Sequence, residues 1–553
     1  MKRNLLLLLV LFYAVAVNAQ NTVGLLSYDP AQAFDGYNII YPHNQPNVYL
    51  LDMCGEIVHT WEDEADVRPG NMAYLRPDGT LVKTKRPAAV VGNPIWAGGG
   101  GGTVEIRDWD NDLIWSFTKN DTLERLHHDI EPLPNGNILM IVWEEKRLDE
   151  IIQNGRDTSI TSQNKIWSDY IIEVNPNTDE IVWEWHAWDH LVQDFDSTKA
   201  NYGVVSDHPE LIDVNYYSNN GNPDWMHSNA IDYNEELDQI LLCVPFFGEV
   251  WIIDHTTTTA QAAGHFGGMG NRGGDLMYRW GNPAVYKRGT ADDQKLFNPH
   301  DAHWADDHID FMNPNFGKIA VFNNRVGVDY STANIFPTPW DMYDWQYTLD
   351  NPTWGPTNFD LVLEHPVAPQ NLYSTGLSSV QVLPNSNFLI CDGRHGYTFE
   401  LNPDNEIVWE YRTPLVGGAP ATQGDSLIVN NNLTFRFNRF PTDYSAFEGR
   451  DLSPKGWIEL EPDTTFCDKI LPTTDRMKEY FLELFPNPAQ DILTLEWRGG
   501  IWSDVIIYDV VGRQMDHFTA TGGRKFIDVS DWSEGIYFVQ IGGVEVRKFI
   551  ISR

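Results

Sequence analysis

The chain is short of positive charge. Its 553 residues carry 38 Lys and Arg against 78 Asp and Glu, a formal net charge of −40. Duplex nucleic acid needs clustered cations to displace counterions, so nucleic acid is excluded as a partner. Adhesion to an anionic membrane surface is excluded by the same argument. Cysteine is scarce as well. Cys54, Cys243, Cys391 and Cys467 lie far apart with no CxxC pair, which rules out a zinc-thiolate site and leaves buried thiols or one or two disulfides. After the first twenty residues no apolar run approaches the ~18 residues of a membrane span, so the mature chain is expected to have no transmembrane segment. Helical periodicity is weak throughout. Aromatic residues, by contrast, are plentiful: 21 Trp, 23 Tyr and 26 Phe, a composition suited to β structure.

The N-terminus reads as a cleavable secretory signal over residues 1–19. Lys2 and Arg3 precede the apolar run Leu5 to Val17, and Asn18-Ala19 completes a small-residue cleavage site. The final residues have a different character. Leu484-Phe485-Pro486-Asn487-Pro488 introduces alternating apolar runs, and Gly535-Ile536-Tyr537-Phe538-Val539 and Lys548-Phe549-Ile550-Ile551 close them. This pattern predicts a small β-sandwich over 481–553, with 461–480 as linker. The segment closely resembles the C-terminal sorting domain of type IX secretion substrates. That resemblance implies a partnership with the type IX machinery and export across the outer membrane of a Gram-negative bacterium to the medium or the cell surface.

Between these ends the sequence repeats. An apolar strand, a tight turn and a strand ending in an aromatic recur at 51–61, 106–115, 172–183 and 399–409, closing on Trp61, Trp115, Trp183 and Trp409. A second unit opens with a turn, at Pro77-Asp78-Gly79, Pro134-Asn135-Gly136 and Pro384-Asn385-Ser386. Two units make four short strands, which is a propeller blade. About six blades fit between residues 25 and 460, so the expected fold is all-β, a six-bladed β-propeller followed by the small sandwich. Asp108 to Asp112 imitates a calcium loop but falls on a blade turn, and it lacks the glycine and distal glutamate of that loop.

The second unit also supplies a ruler. Eight residues before its turn residue stand Asn71, His128 and Ser378. Two further segments fit this slot by pattern: Asp224-Trp225-Met226-His227-Ser228-Asn229 and Asn298-Pro299-His300-Asp301-Ala302-His303. First strands of propeller blades line one channel, so His128, His227 and His300 are expected on a shared ring with Asn229 beside them. Three histidines could hold a metal, but HExxH spacing and an obvious carboxylate ligand are missing, and no metal is expected there. Imidazole as nucleophile, with neighbouring donors, is the alternative chemistry.

Leu126-His127-His128-Asp129-Ile130, Trp225-Met226-His227-Ser228-Asn229-Ala230-Ile231 and Pro299-His300-Asp301-Ala302 resemble the bacterial arylsulfotransferase family, across roughly residues 25–460. The resemblance implies a six-bladed propeller that moves a sulfuryl group from a phenolic sulfate donor to a phenolic acceptor, with no cofactor, through a covalent sulfo-histidine. It makes His300 the nucleophile and gives His128 and His227 hydrogen bonds to the transferring group or the phenolic oxygen. Asn229 becomes a donor to a sulfuryl oxygen. The family's arginine on the strand after the His-x-Asn motif is absent; Pro245 stands near that place. Arg279, Arg325 and Arg394 are candidates to replace it, with Arg394 preferred as a substrate-binding residue. The missing arginine keeps two other readings open, a non-catalytic propeller that binds glycan or protein and an aryl sulfate ester hydrolase. The glycine run Gly98 to Gly102 reads as a flexible blade connection, and Gly267 to Gly274 as a mobile loop or lid near the channel mouth. Trp225, Tyr278, Trp280 and Trp304 are candidate platforms for an aryl group.

Overall fold

A computed structural model describes residues 21–552 except 87–92, 218–221, 350–351, 465–466, 468–480, 499–502, 511, 521–523 and 542–544. The signal segment and most of the linker lie outside the described residues. Two compact units divide the chain, one ending at Ile470 and the other Leu471–Arg553.

The first unit is built from antiparallel sheets. Among the described residues, six have four or five strands. Their first strands are Arg68–Leu75, Glu124–Pro132, Ala230–Asn234, Pro299–Trp304, Ser379–Val382 and Thr434–Pro441. Each of these touches the next in that order, and the last returns to the first, so the inner strands close a ring. Two sheets mix the ends of the unit. Gly24–Tyr28 pairs with Ile407–Arg412, and Gly36–Pro42 pairs with Thr434–Pro441. The inner strands are also latched side to side. Asp129 accepts from the Ile231 amide at 3.1 Å, Asp232 from Trp304 at 2.6 Å, Asp301 from Val380 at 2.9 Å, and Gln381 from Arg439 at 2.8 Å.

The repeat explains itself in this frame. Its turns are held by Asx side chains: Asp52 accepts from the amides of Cys54 and Glu56, and Asn402 from those of Asp404 and Glu406. The Asp108 carboxylate takes the amide of Asp112 in the same way, so this stretch is a turn. The closing tryptophans reach across to the next sheet. The Trp61 indole donates to Asp108 O, Trp115 to Asp179, Trp183 to Thr257 and Trp409 to Met53 O. Each such bond contributes only about 1 kcal/mol net, but the set repeats around the ring.

Cys54 and Cys467 form a disulfide, while Cys243 and Cys391 are buried free thiols. Burial raises both thiol pKa values, that of Cys391 to about 12, so neither is a thiolate at neutral pH. The second unit holds a three-stranded and a four-stranded antiparallel sheet, with a core that includes Leu493, Val505, Ile507, Val539 and Phe549. Among the described residues no helix is long and apolar enough to cross a membrane.

Candidate functional site

The ring strands are irregular at one level. Register breaks at the neighbours of Pro69–Ala73, between Met140 and Val142, and between His300 and His303. At the same places the backbone turns left-handed: Asn71 has φ +129°, His128 +50°, His227 +60°, Asp301 +56° and Ser378 +90°. A bulge re-aims a side chain, and such φ values cost roughly 1–3 kcal/mol unless the surroundings enforce them. The strain therefore sits at the positions singled out by the repeat.

These positions gather. The rings of His128 and His227 are 4.5 Å apart, edge to face. Phe435, on the last inner strand, lies 6.3 Å from His128 and 6.5 Å from His300. His127 is turned away and stacks on Trp143 at 3.9 Å. All three clustered histidines are nearly or wholly buried, yet their pKa values are pushed in different directions.

His227 Nδ1 lies 2.5 Å from Asp224 Oδ2, and its ring stacks on Phe246. Burial lowers its pKa, but the charge and hydrogen bond of Asp224 outweigh this, and the net direction is upward. His300 goes the other way. Burial, aided by the charge of His227, lowers it to about 3, and hydrogen bonding to the Asn298 carbonyl and the Asn324 side chain offsets this only in part. The Asn298 carbonyl can only accept, so the Nδ1 at 3.2 Å carries the proton and Nε2 keeps its lone pair. Burial and the four other histidines around it, His227, His127, His300 and His43, hold His128 well below the usual range. Its Nδ1 is 2.8 Å from His127 Nδ1, and His127 Nε2 faces Asp169 Oδ1 at 3.5 Å. This order favours a proton on His127 Nε2, another on His128 Nδ1, and a free lone pair on His128 Nε2. One histidine shifted toward its protonated form beside two shifted toward the neutral form suits stepwise group transfer.

Asn229 is fully buried. Its amide donates to Pro299 O at 2.9 Å, so it braces the strand that carries His300, and its Oδ1 has no hydrogen-bond partner. Arg394 lies on the His300 side. A Cβ built on Gly376 would stand 3.4 Å from Arg394 Nη2 and 3.7 and 3.8 Å from the His300 ring. Arg325 is close enough to Arg394 to lower its pKa after burial has done so. Arg279 is committed elsewhere: it is sealed in a buried pair with Glu249 and stacked near Tyr286, and it is no replacement for the family's arginine.

Two features at the site lie outside the candidate residues named above. The first is Arg436, beside Phe435. Its guanidinium joins Asp129 at 2.6 Å and Asp301 at 2.5 Å, the residues that follow His128 and His300, and donates to Tyr74 at 2.7 Å. The second is His43, buried near Asn71, Arg86 and Arg394, with its pKa lowered to about 4, chiefly by burial. Arg436 was within reach of the ruler: Phe435 stands eight residues before Asp443 in the turn Pro441-Thr442-Asp443, as His128 stands before Gly136, and Arg436 follows it as Asp129 follows His128. His43 lies just past the strand Gly36–Pro42 and has no such signal. The Asp224 partner of His227 was within a quoted motif; its role could have been suspected from the three-residue spacing.

The glycine run is not a loose connection. The Gly99 carbonyl accepts from the His128 amide at 2.8 Å and from Asn71 Nδ2 at 3.0 Å. A Cβ on Gly99 would fall 2.0 Å from His128 Nε2, and one on Gly98 3.8 Å from His227. Glycine is required at Gly99 by both this contact and φ +78°. Gly99→Ala is expected to displace His128 and reduce turnover at least ~10-fold with a shift in melting of only a few degrees, read from kcat and a thermal melt side by side.

Gly267 to Gly274 runs elsewhere. Its backbone is pinned by Asp254 and Thr256, and Gly274 O accepts from Trp185 on the outer edge strand of the neighbouring sheet. Trp225, Tyr278, Trp280 and Trp304 are all buried in sheet packing, so none offers a face to a ligand. The exposed aromatic near the glycine run is Trp96, with Arg125 at 4.7 Å and Arg86 at 5.5 Å from its ring. Arg86, Arg125, Arg325 and Arg394 donate to backbone carbonyls or an asparagine oxygen, with no ion pair among the described residues. Positive charge without an acidic partner among the described residues thus stands beside the histidines, Arg86 and Arg394 near His43 and Arg394 near His300.

A family model described as arylsulfotransferase (ASST) matches residues 42–414, and one described as secretion system C-terminal sorting domain matches 483–552. No curated protein matches the sequence. Among solved structures, a protein of unknown function from Bacteroides caccae is 10% identical, with 73% of this chain and 99% of that one covered and a TM-score of 0.37. Virginiamycin B lyase from Staphylococcus aureus is 10% identical over 72% and 90% of the two chains, TM-score 0.32. The β-propeller domain of Cps50 from Myceliophteria thermophila is 10% identical over 66% and 80%, TM-score 0.31.

Proposed function

The chain belongs to the arylsulfotransferase family, and from that premise we propose that it is a six-bladed propeller enzyme, carrying a β-sandwich sorting domain, that transfers a sulfuryl group between phenols through His300. Its sorting domain indicates secretion or cell-surface localisation through the type IX system. The observations that support the mechanism are the opposite shifts of two neighbouring histidines: His300, with Nδ1 on the Asn298 carbonyl, is lowered to about 3, while Asp224 raises His227 toward the protonated form.

In the proposed first step His300 Nε2 attacks sulfur. An N–S bond forms, the donor's S–O bond breaks, and the departing phenolate takes a proton from His227. In the second step the acceptor phenol gives its proton to His227 or His128 while its oxygen attacks sulfur and frees His300. The charge on the three equatorial oxygens is met by donors, as in phosphoryl transfer. Arg394 and Asn229 are the proposed contacts to those oxygens; the second N–H of Asn229 is the one available.

Phenol-dependent release of p-nitrophenol from p-nitrophenyl sulfate tests this reading. Release that ignores the phenol would make the protein a sulfate ester hydrolase, and no release at all would favour a binding propeller. The pH profile follows from the pKa directions. His300 is neutral at every pH above about 3–4, so no acid limb arises from it near neutrality. His227 must be protonated, so the rate is expected to fall as pH rises through its raised pKa. Asp224→Asn removes what raises that pKa and is expected to move the fall to lower pH. An unmoved alkaline limb would remove His227 from the acid role.

A further inference from the structure

We propose that His190, His265 and Asp275 form a binding site for a zinc-class divalent cation that staples two neighbouring sheets of the first unit. His190 follows the outermost strand Glu180–His186 of one sheet. His265 and Asp275 lie on the long connection between Glu249–Asp254 and Tyr278–Trp280 of the next. One ligand atom from each of the three lies within 4.8 Å of the others. Both His190 Nδ1 and His265 Nδ1 stand 2.8 Å from the same oxygen, Asp275 Oδ1.

The tautomer of His190 gives this geometry its meaning. Its Nε2 is 2.8 Å from Ala262 O, and a carbonyl can only accept, so Nε2 carries the proton. A neutral ring then presents the Nδ1 lone pair to a carboxylate oxygen. A cation has to lie between them, either a second proton or a metal ion. Two imidazoles and a carboxylate are a ligand set for zinc, with bonds of about 2.0–2.2 Å. An imidazole whose other N–H is fixed by a backbone carbonyl is the usual second shell of such a ligand. That shell depends on Gly274, since a Cβ there would fall 2.0 Å from Ala262 O and 2.6 Å from His190 Nε2. The His190 ring is fully buried and stacks on Trp185 with its plane 6° from parallel. His265 is exposed, so its side chain can adjust to the ion and a fourth position faces solvent.

The full chain, stripped with EDTA and titrated with Zn²⁺, is expected to bind one ion that survives dialysis and to melt at a higher temperature when loaded. Co²⁺ in its place is expected to give the visible absorption of a four-coordinate centre. His265→Ala, at an exposed position that leaves the core intact, and Asp275→Asn are each expected to weaken Zn²⁺ binding at least ~100-fold and to cancel the thermal shift. Mg²⁺ and Ca²⁺, which prefer oxygen ligands, are expected to leave the melt unchanged. Failure to retain zinc, or retention undiminished in both variants, would overturn the proposal and leave the three side chains as a hydrogen-bonded cluster. Because turnover is no part of the readout, the result stands apart from the sulfuryl-transfer reading.

Discussion

His300→Ala is expected to abolish phenol-dependent turnover, with a loss of ~10³-fold or more, while the protein still folds. In the proposed mechanism His300 supplies the bond-forming atom, so removing it removes the covalent route and not one donor among several. The ring's polar contacts are to the Asn298 carbonyl at 3.2 Å and the Asn324 side chain, neither of which ties strands of the ring together. Truncating a buried imidazole leaves a small cavity, and the expected cost in stability is about 1–2 kcal/mol. Mass spectrometry separates chemistry from folding. After exposure to donor without acceptor, the parent protein is expected to carry an adduct of ~80 Da on the peptide containing His300, and the variant none. An adduct that persists in His300→Ala would move the nucleophile to another residue, with His128 the next neutral imidazole in the cluster.

The largest expected effect on stability is at Arg436. Its guanidinium lies between Asp129 and Asp301, two buried carboxylates on different inner strands, and touches Tyr74 as well. Arg436→Met leaves both acids without their cation, and breaking a buried pair in this way costs about 3–5 kcal/mol. The pH dependence has a definite sign. Burial already raises the Asp129 pKa, and Arg436 opposes that rise. Without Arg436 the folded-state pKa climbs further above the unfolded value. The variant is therefore stabilised at low pH, and its stability is lost as pH rises through the raised pKa. Melts between pH 4.5 and 8 are expected to show a deficit that widens with pH. A constant deficit would mean that the acids find other partners. Activity is expected to fall in parallel, because Asp129 and Asp301 anchor the turns that aim His128 and His300.

What could be read from the sequence was what repeats locally. The turn residues, the closing tryptophans and the histidine slot recur at fixed offsets, and each corresponds to a hydrogen bond or a left-handed φ in the fold. Arg436 was legible by the same spacing, since Phe435 stands eight residues before Asp443 of the turn Pro441-Thr442-Asp443, but an apolar residue in the slot hides the charged one beside it; His43, just past the strand Gly36–Pro42, has no such signal. The fate of the aromatics was also undecidable. Trp225 and Trp280 on one hand and Trp96 on the other have similar neighbours in sequence, and only the packing of adjacent sheets buries the first two and leaves the third exposed. The glycine run was misread for a related reason. Its lack of side chains serves close approach to His128, a contact with no local trace.

The strand Thr434–Pro441 is the last of the six inner strands to be made, yet it pairs with Gly36–Pro42 near the beginning. It also brings Phe435 and Arg436 to the histidines. The pocket consequently has a birth time: until residue 441 is in place, His128 and His300 stand on strands whose acidic neighbours repel without a cation between them. The site is therefore completed by the last inner strand, which brings both its bridging cation and its Phe435 wall.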